Sequence, residues 1–167
     1  SYVTDKQKAR FAKHFESILD EDRHSQMQVL EVREILELAM FEKAALNADE
    51  DDIEAMEKIY EQMEKNLNEK TGYGNLDLKL HMQIAKATHN DIFPILVHTL
   101  YESSGQRIML MEDLFPESMK SIHRDHLGII EAIKRRDVKA VRKVGKRHFD
   151  VDRYMLLSMN ELEESPK

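Results

Sequence analysis

The chain has no cysteine, only 5 glycines and 3 prolines, and no excess of positive charge. Without thiols it can form no disulfide, no thiolate zinc site and no cysteine nucleophile. That absence suits a reducing, cytoplasmic setting. Few glycines and prolines argue against a turn-rich sheet protein or a disordered chain. The formal net charge of −7 argues against this chain itself gripping nucleic acid, which needs clustered cations. No apolar run approaches a membrane span, Ile92–Val97 being among the longest. The first residues carry no signal-peptide pattern. What remains is 41% hydrophobic and 34% charged over 167 residues, enough for one helical domain with a real core.

Apolar residues recur at helical spacing along most of the chain. Ser1–Asp5 is the exception, extended in character. Lys6–Leu19 has the pattern of a short helix, and Glu21–His24 a charged break. A long helix is predicted over Ser25–Asn47, with Val29, Leu36, Met40 and Ala44 as its stripe and Arg33 within it. A second follows Asp49, with Asp52 completing an approximate capping box. Thr71-Gly72-Tyr73-Gly74 is predicted as a loop. A third helix covers about Asn75–Thr88. A fourth is capped by Asn90 or Asp91 and reaches towards Glu112, with an irregularity at Ser103-Ser104-Gly105. Pro116 opens a fifth over Glu117–Arg135, and Asp137 caps a sixth that runs towards Leu162. The expected architecture is an all-α, antiparallel bundle of six or seven helices.

Four residues on the predicted inward faces carry chemistry. Asp77 and His81 stand one turn apart on one helix. His126 shares a stripe with Ile122, Ile129 and Ile133. His148 shares one with Val141, Val144, Val151 and Met155. One carboxylate and three neutral imidazoles suit a divalent transition metal and leave room for an exogenous ligand. Taken singly, each histidine reads as readily as a core residue with both nitrogens satisfied. The spacing alone does not bring the three helices together.

The order of these landmarks resembles the effector-binding (FCD, FadR C-terminal-like) domain of GntR-family bacterial transcription regulators, FadR-like subfamily. The landmarks are Leu30-Glu31-Val32-Arg33 with Leu36-Glu37, Asp77-x-x-x-His81, His89-Asn90, Asp125-His126 followed by Ile129-Ile130-Glu131-Ala132-Ile133, and Arg147-His148. The resemblance spans roughly Leu30 to Met155. It implies a helical bundle with an internal metal held by Asp77, His81, His126 and His148, and a small carboxylate effector at or beside the metal. Imidazole ligation favours Zn2+, though Ni2+, Mn2+ or Fe2+ suits the same donors. It further implies a homodimer that binds operator DNA through an N-terminal winged-helix domain outside these residues. On that reading residues 1–24 are the end of the wing and a linker, 25–160 the sensing domain and 161–167 a polar tail. The family pattern has Glu where this chain has Asp125.

Arg33 matches the Arg of the family's first helix and can face a bound carboxylate with its guanidinium fork. Its alternative is a pair with Glu37, four residues on. Arg107 is expected to be exposed. His123, three residues before His126, could substitute for it as a ligand but falls off the stripe, so His126 is preferred, and His89 and His98 read as structural. The rival function is a metal-dependent hydrolytic enzyme, in which the same ion activates water. It requires a non-ligand acid or base near the metal, and the acids of the third, fifth and sixth helices lie mostly off the inward stripes.

Overall fold

A computed structural model of the chain describes residues 10, 23–69, 72–102, 111 and 113–164. Among these residues there are six helices and no strand. They are α1 (Arg23–Asn47), α2 (Glu50–Glu69), α3 (Tyr73–Lys86), α4 (Ile92–Glu102), α5 (Pro116–Lys134) and α6 (Val138–Glu164). The fold is the expected all-α antiparallel bundle. The extended Ser1–Asp5, the short helix at Lys6–Leu19, the irregularity at 103–105 and Arg107 fall outside the described residues, save for the helical Arg10.

The helix ends follow the local chemistry. At the start of α2, Asp52 N–H donates to Asp49 Oδ1 at 2.9 Å and Asp49 N–H to Asp52 Oδ2 at 3.3 Å. This is the reciprocal box that the sequence predicts. Asn90, rather than Asp91, caps α4 by accepting from Ile92 N–H at 3.1 Å. Pro116 occupies the first turn of α5, and Asp137 caps α6 by accepting from Ala140 N–H at 2.9 Å. Helix α5 ends in a Schellman arrangement. Arg136 takes a left-handed φ of 56°, with Asp137 N–H on Ala132 O and Arg136 N–H on Ile133 O. The same Arg136 reaches across to cap α1, donating to Leu46 O at 2.9 Å and Ala48 O at 3.1 Å.

Two boundaries differ from expectation: α1 already includes Arg23 and His24, expected in the charged break, and α3 starts early. Tyr73 and Gly74 belong to the first turn of α3, not to the preceding loop, and Gly72 alone makes the turn with φ 63°. The helix starts early because Tyr73 buries its ring at 2% exposure, and that burial outweighs the turn signal of the flanking glycines.

Helix α6 lies against α1 and α5, and α3 lies against α2, α4 and α1. The core is continuous through Phe41, Met56, Leu80, Ile129, Phe149 and Met155. The four elements α1, α3, α5 and α6 therefore surround one interior volume, and the buried Arg33, Glu37, Asp77, His81, His126 and His148 cluster there.

Candidate metal and effector site

Helix α3 supplies Asp77 and His81, α5 supplies His126 and α6 supplies His148. All four are buried, with His81 and His126 fully so. Ligand-capable atoms of His81, His126 and His148 lie within 4.8 Å of one another. The His81 and His126 Nε2 atoms are 3.3 Å apart. Asp77 Oδ1 joins them at 3.1 Å from His126 Nε2 and 4.0 Å from His81 Nε2. The structure thus brings together the four residues that helical phase singled out.

Two groups orient these rings from behind. Glu37 of α1 bonds His81 at Nδ1, on the far side of the ring from the cluster. Tyr73 O–H lies 3.2 Å from Nδ1 of both His126 and His123. A hydroxyl has one proton, so it can donate to only one of the two imidazoles. If His126 donates its Nδ1–H to the Tyr73 oxygen and Tyr73 donates to His123, the His126 Nε2 lone pair faces the cluster. His148 Nδ1 is buried with no hydrogen-bond partner.

Electrostatics separate the members. Burial alone would raise the Asp77 carboxyl, but the His126 hydrogen bond and the neighbouring imidazoles hold it well below the usual carboxylate range. Burial and then the charge on His126 and His81 push His148 far down, which keeps it neutral. Burial opposes charge on His81 too, but Glu37 and Asp77 outweigh it and raise the group. Desolvation raises Glu37, yet Arg33 and His81 bring it below its ordinary value.

Arg33 of α1 is buried, and both readings of it meet in one geometry. Its Nε donates to Glu37 Oε1 at 2.9 Å, while Nη2 lies 3.9 Å from Asp152 Oδ2. The guanidinium stacks over Tyr101 at 4.1 Å from the ring centroid. Beside it is a cavity of about 60 Å³, lined by Arg33, Asp77, His148 and Asp152 among methionine, leucine and isoleucine side chains. Burial pushes the Asp152 carboxyl up to about 7, against the pull of Arg33.

Three features of this site were not anticipated from the sequence. Glu37 was weighed only as a partner of Arg33, although an acid at i+4 on an apolar stripe signals burial. Asp152 follows His148 by four residues, so helical phase could have placed it on the same cavity. His123 is buried at 7% exposure and shares Tyr73 with His126, contrary to its position off the stripe. Its ring stacks on Tyr60 with centroids 4.4 Å apart, which draws it inward. His98, read as structural, is exposed on α4. His89 lies at the surface and pairs with Asp52 at 2.9 Å and Asp49 at 3.7 Å, groups that the α2 cap already engages.

The donors fit a divalent transition ion. Three imidazoles and a carboxylate kept ionised converge in a buried interior, and the orphaned His148 nitrogen has no other partner there. The molecule is therefore of the class of helical domains with a polar cluster and a small cavity inside the bundle. The chain belongs to the FCD domain family, whose model matches residues 28–151. It is 23% identical over 141 residues to the Uxu operon regulator of Haemophilus influenzae, covering 82% of this chain and 53% of that protein. The chain thus spans about half the length of this curated relative. Two solved structures share the fold. E. coli McbR/YncC matches with a TM-score of 0.75 at 13% identity, over 84% of this chain and 68% of the other. Streptococcus agalactiae GntR matches at 0.64 and 22% identity, over 77% and 58%. The curated relative is an operon regulator, and as an FCD domain this chain is a ligand-sensing regulatory domain rather than the hydrolytic enzyme of the alternative reading. Among the described residues no helix is long and apolar enough to cross a membrane.

Proposed function

We propose that this domain senses a small carboxylic acid through a bound divalent metal, Zn2+ by preference, held by Asp77, His81, His126 and His148. The observation that carries the reading is the convergence of three buried imidazoles from three helices, one with an unpartnered nitrogen. When bound, the ion supplies a Lewis acid for the effector's carboxylate oxygens. The chain's own residues do the rest. Asp77 stays ionised and His148 neutral, the states in which each can donate an electron pair. Arg33 offers its Nη edge to the adjoining cavity, because Glu37 already engages its Nε. The apolar side chains around it lower the local dielectric and strengthen that charged contact.

In the parent regulator, effector binding here would change how two protomers hold their N-terminal winged-helix domains on operator DNA. This is allostery between distinct sites. The parent would act as a cytoplasmic homodimer.

The test is metal analysis of protein purified without a nickel column, followed by a thermal-shift screen of small carboxylic acids. About one divalent ion per chain is expected. Alanine at His126 or His148 should lower the metal content and the melting temperature, since bound metal stabilises the folded state by mass action. Wild-type stoichiometry in both variants would sink the assignment.

A further inference from the structure

We propose that Glu37 is the positioning residue of this site, fixing His81 with Nε2 towards the other donors and Arg33 with its terminal edge towards the cavity. The proposal rests on the metal reading above and assigns a role to a residue outside the ligand set.

Glu37 sits on α1 with no exposed surface, between two donors. One carboxylate oxygen takes His81 Nδ1, and the other takes Arg33 Nε at 2.9 Å. A carboxylate only accepts, so the hydrogen between it and His81 resides on Nδ1. In the neutral ring the lone pair is then on Nε2, which lies 3.3 Å from His126 Nε2 and 4.0 Å from Asp77 Oδ1. The ring is also braced on its sides, by Phe41 with centroids 5.7 Å apart and by Tyr101 at 5.2 Å. The same Tyr101 carries the Arg33 guanidinium on its face. One buried acid therefore sets the direction of a candidate ligand and of the candidate effector clamp.

Glutamine at this position makes the discriminating variant. It keeps the shape but has one acceptor and one donor. If its oxygen serves Arg33, its amide N–H faces His81 Nδ1 and forces the hydrogen onto Nε2. If it serves His81, the amide opposes the Arg33 N–H. The fixed charge of Arg33 is the stronger claimant on that oxygen, so the His81 orientation is the one lost.

The experiment uses the full 167-residue chain, stripped of metal and titrated with Zn2+ against a chelating dye. Glu37→Gln should weaken Zn2+ binding by about 10- to 100-fold, the usual effect of removing a partner behind a metal-binding histidine. A Glu37 that merely neutralises Arg33 predicts equal Zn2+ affinity in Glu37→Gln and wild type, and that result overturns the proposal. Nitrogen-15 spectra of the metal-free wild type, taken above the imidazole titration range, provide a second readout. His81 should carry its hydrogen on Nδ1 and a bare Nε2. The opposite tautomer overturns the proposal even if Glu37→Gln fails to fold. Absence of Zn2+ binding by the wild type defeats the metal reading itself, whereas normal wild-type binding with an unaffected Glu37→Gln defeats only this one.

Discussion

Arg33 is held at three points, by Glu37 through Nε, by the Tyr101 face and by the charge of Asp152. Held so, it can meet a ligand with little further loss of side-chain entropy. Its removal should cost about 1.5–3 kcal/mol of effector binding, the worth of a charged hydrogen bond, or roughly ten- to a hundredfold in affinity. Burial decides which variant is informative. Arg33→Ala leaves Glu37 in the core with His81 as its remaining charged partner, so stability falls as well. Arg33→Lys keeps the charge and loses the planar fork, and so tests the clamp more directly. Calorimetry with whichever acid the screen identifies should show weaker binding by Arg33→Lys with metal content unchanged. Equal binding by Arg33→Lys and wild type would return Arg33 to a structural role. At this scale helical phase was a good guide to Asp77, His81, His126 and His148, because a polar residue on an apolar stripe has one direction to point. It was a poor guide to His123, which Tyr60 stacks and Tyr73 meets with its ring edge and hydroxyl. It was silent on Tyr73, whose bonds to His123 and His126 span 50 and 53 residues.

The crossing of α1 and α6 depends on Gly145. A Cβ built there would lie 2.7 Å from Leu38 Cδ2 and 2.9 Å from Phe41 Cδ2. The Leu38 methyl can move, but the Phe41 ring is fully buried and packs against His81. Gly145→Ala should therefore destabilise the domain by about 1–3 kcal/mol through overpacking. That loss is partly offset by the roughly 1 kcal/mol that alanine gains over glycine in a helix. Gly128→Ala is the control, since its new Cβ meets only Val144 Cγ1 at 3.1 Å, and its cost should be smaller. Denaturant melts of the two variants check the order, and a more stable Gly145→Ala would show that the crossing has slack. The helices themselves were legible because caps announce ends. Asp49 with Asp52, Asn90, Pro116 and Asp137 each stand where sequence placed a start. The start of α3 was not, because Gly-Tyr-Gly reads locally as a turn and only the core shows why Tyr73 must be inside.

For the whole molecule, the helices that converge on the site are joined by nothing local, so their meeting could not be read from spacing. Glu37 and His81 lie 44 residues apart, and His81 and His126 lie 45 apart. Buried charge at such a junction ties stability to the ligand. Four polar groups share one interior, and a cation there would take up the unpartnered His148 nitrogen and the buried charge of Asp77. At free metal about 100 times its dissociation constant, binding adds about 2.7 kcal/mol to folding. For a domain of this size that is a rise of roughly 5–11 °C in Tm. Chelation should remove that increment, and Zn2+ should restore it. The sign of the pH effect follows from the donors. An imidazole binds metal only when unprotonated, so protons compete as pH falls, first at His81, which Glu37 and Asp77 raise, and last at His148, which burial lowers. The metal-dependent part of Tm should be largest at the alkaline end and fade as pH falls, while the metal-free protein shows no such increment to lose. Differential scanning calorimetry with and without chelator, at matched pH, reads the difference directly. A metal increment that persists undiminished at the acid end would mean that carboxylates, not His81, His126 and His148, hold the ion.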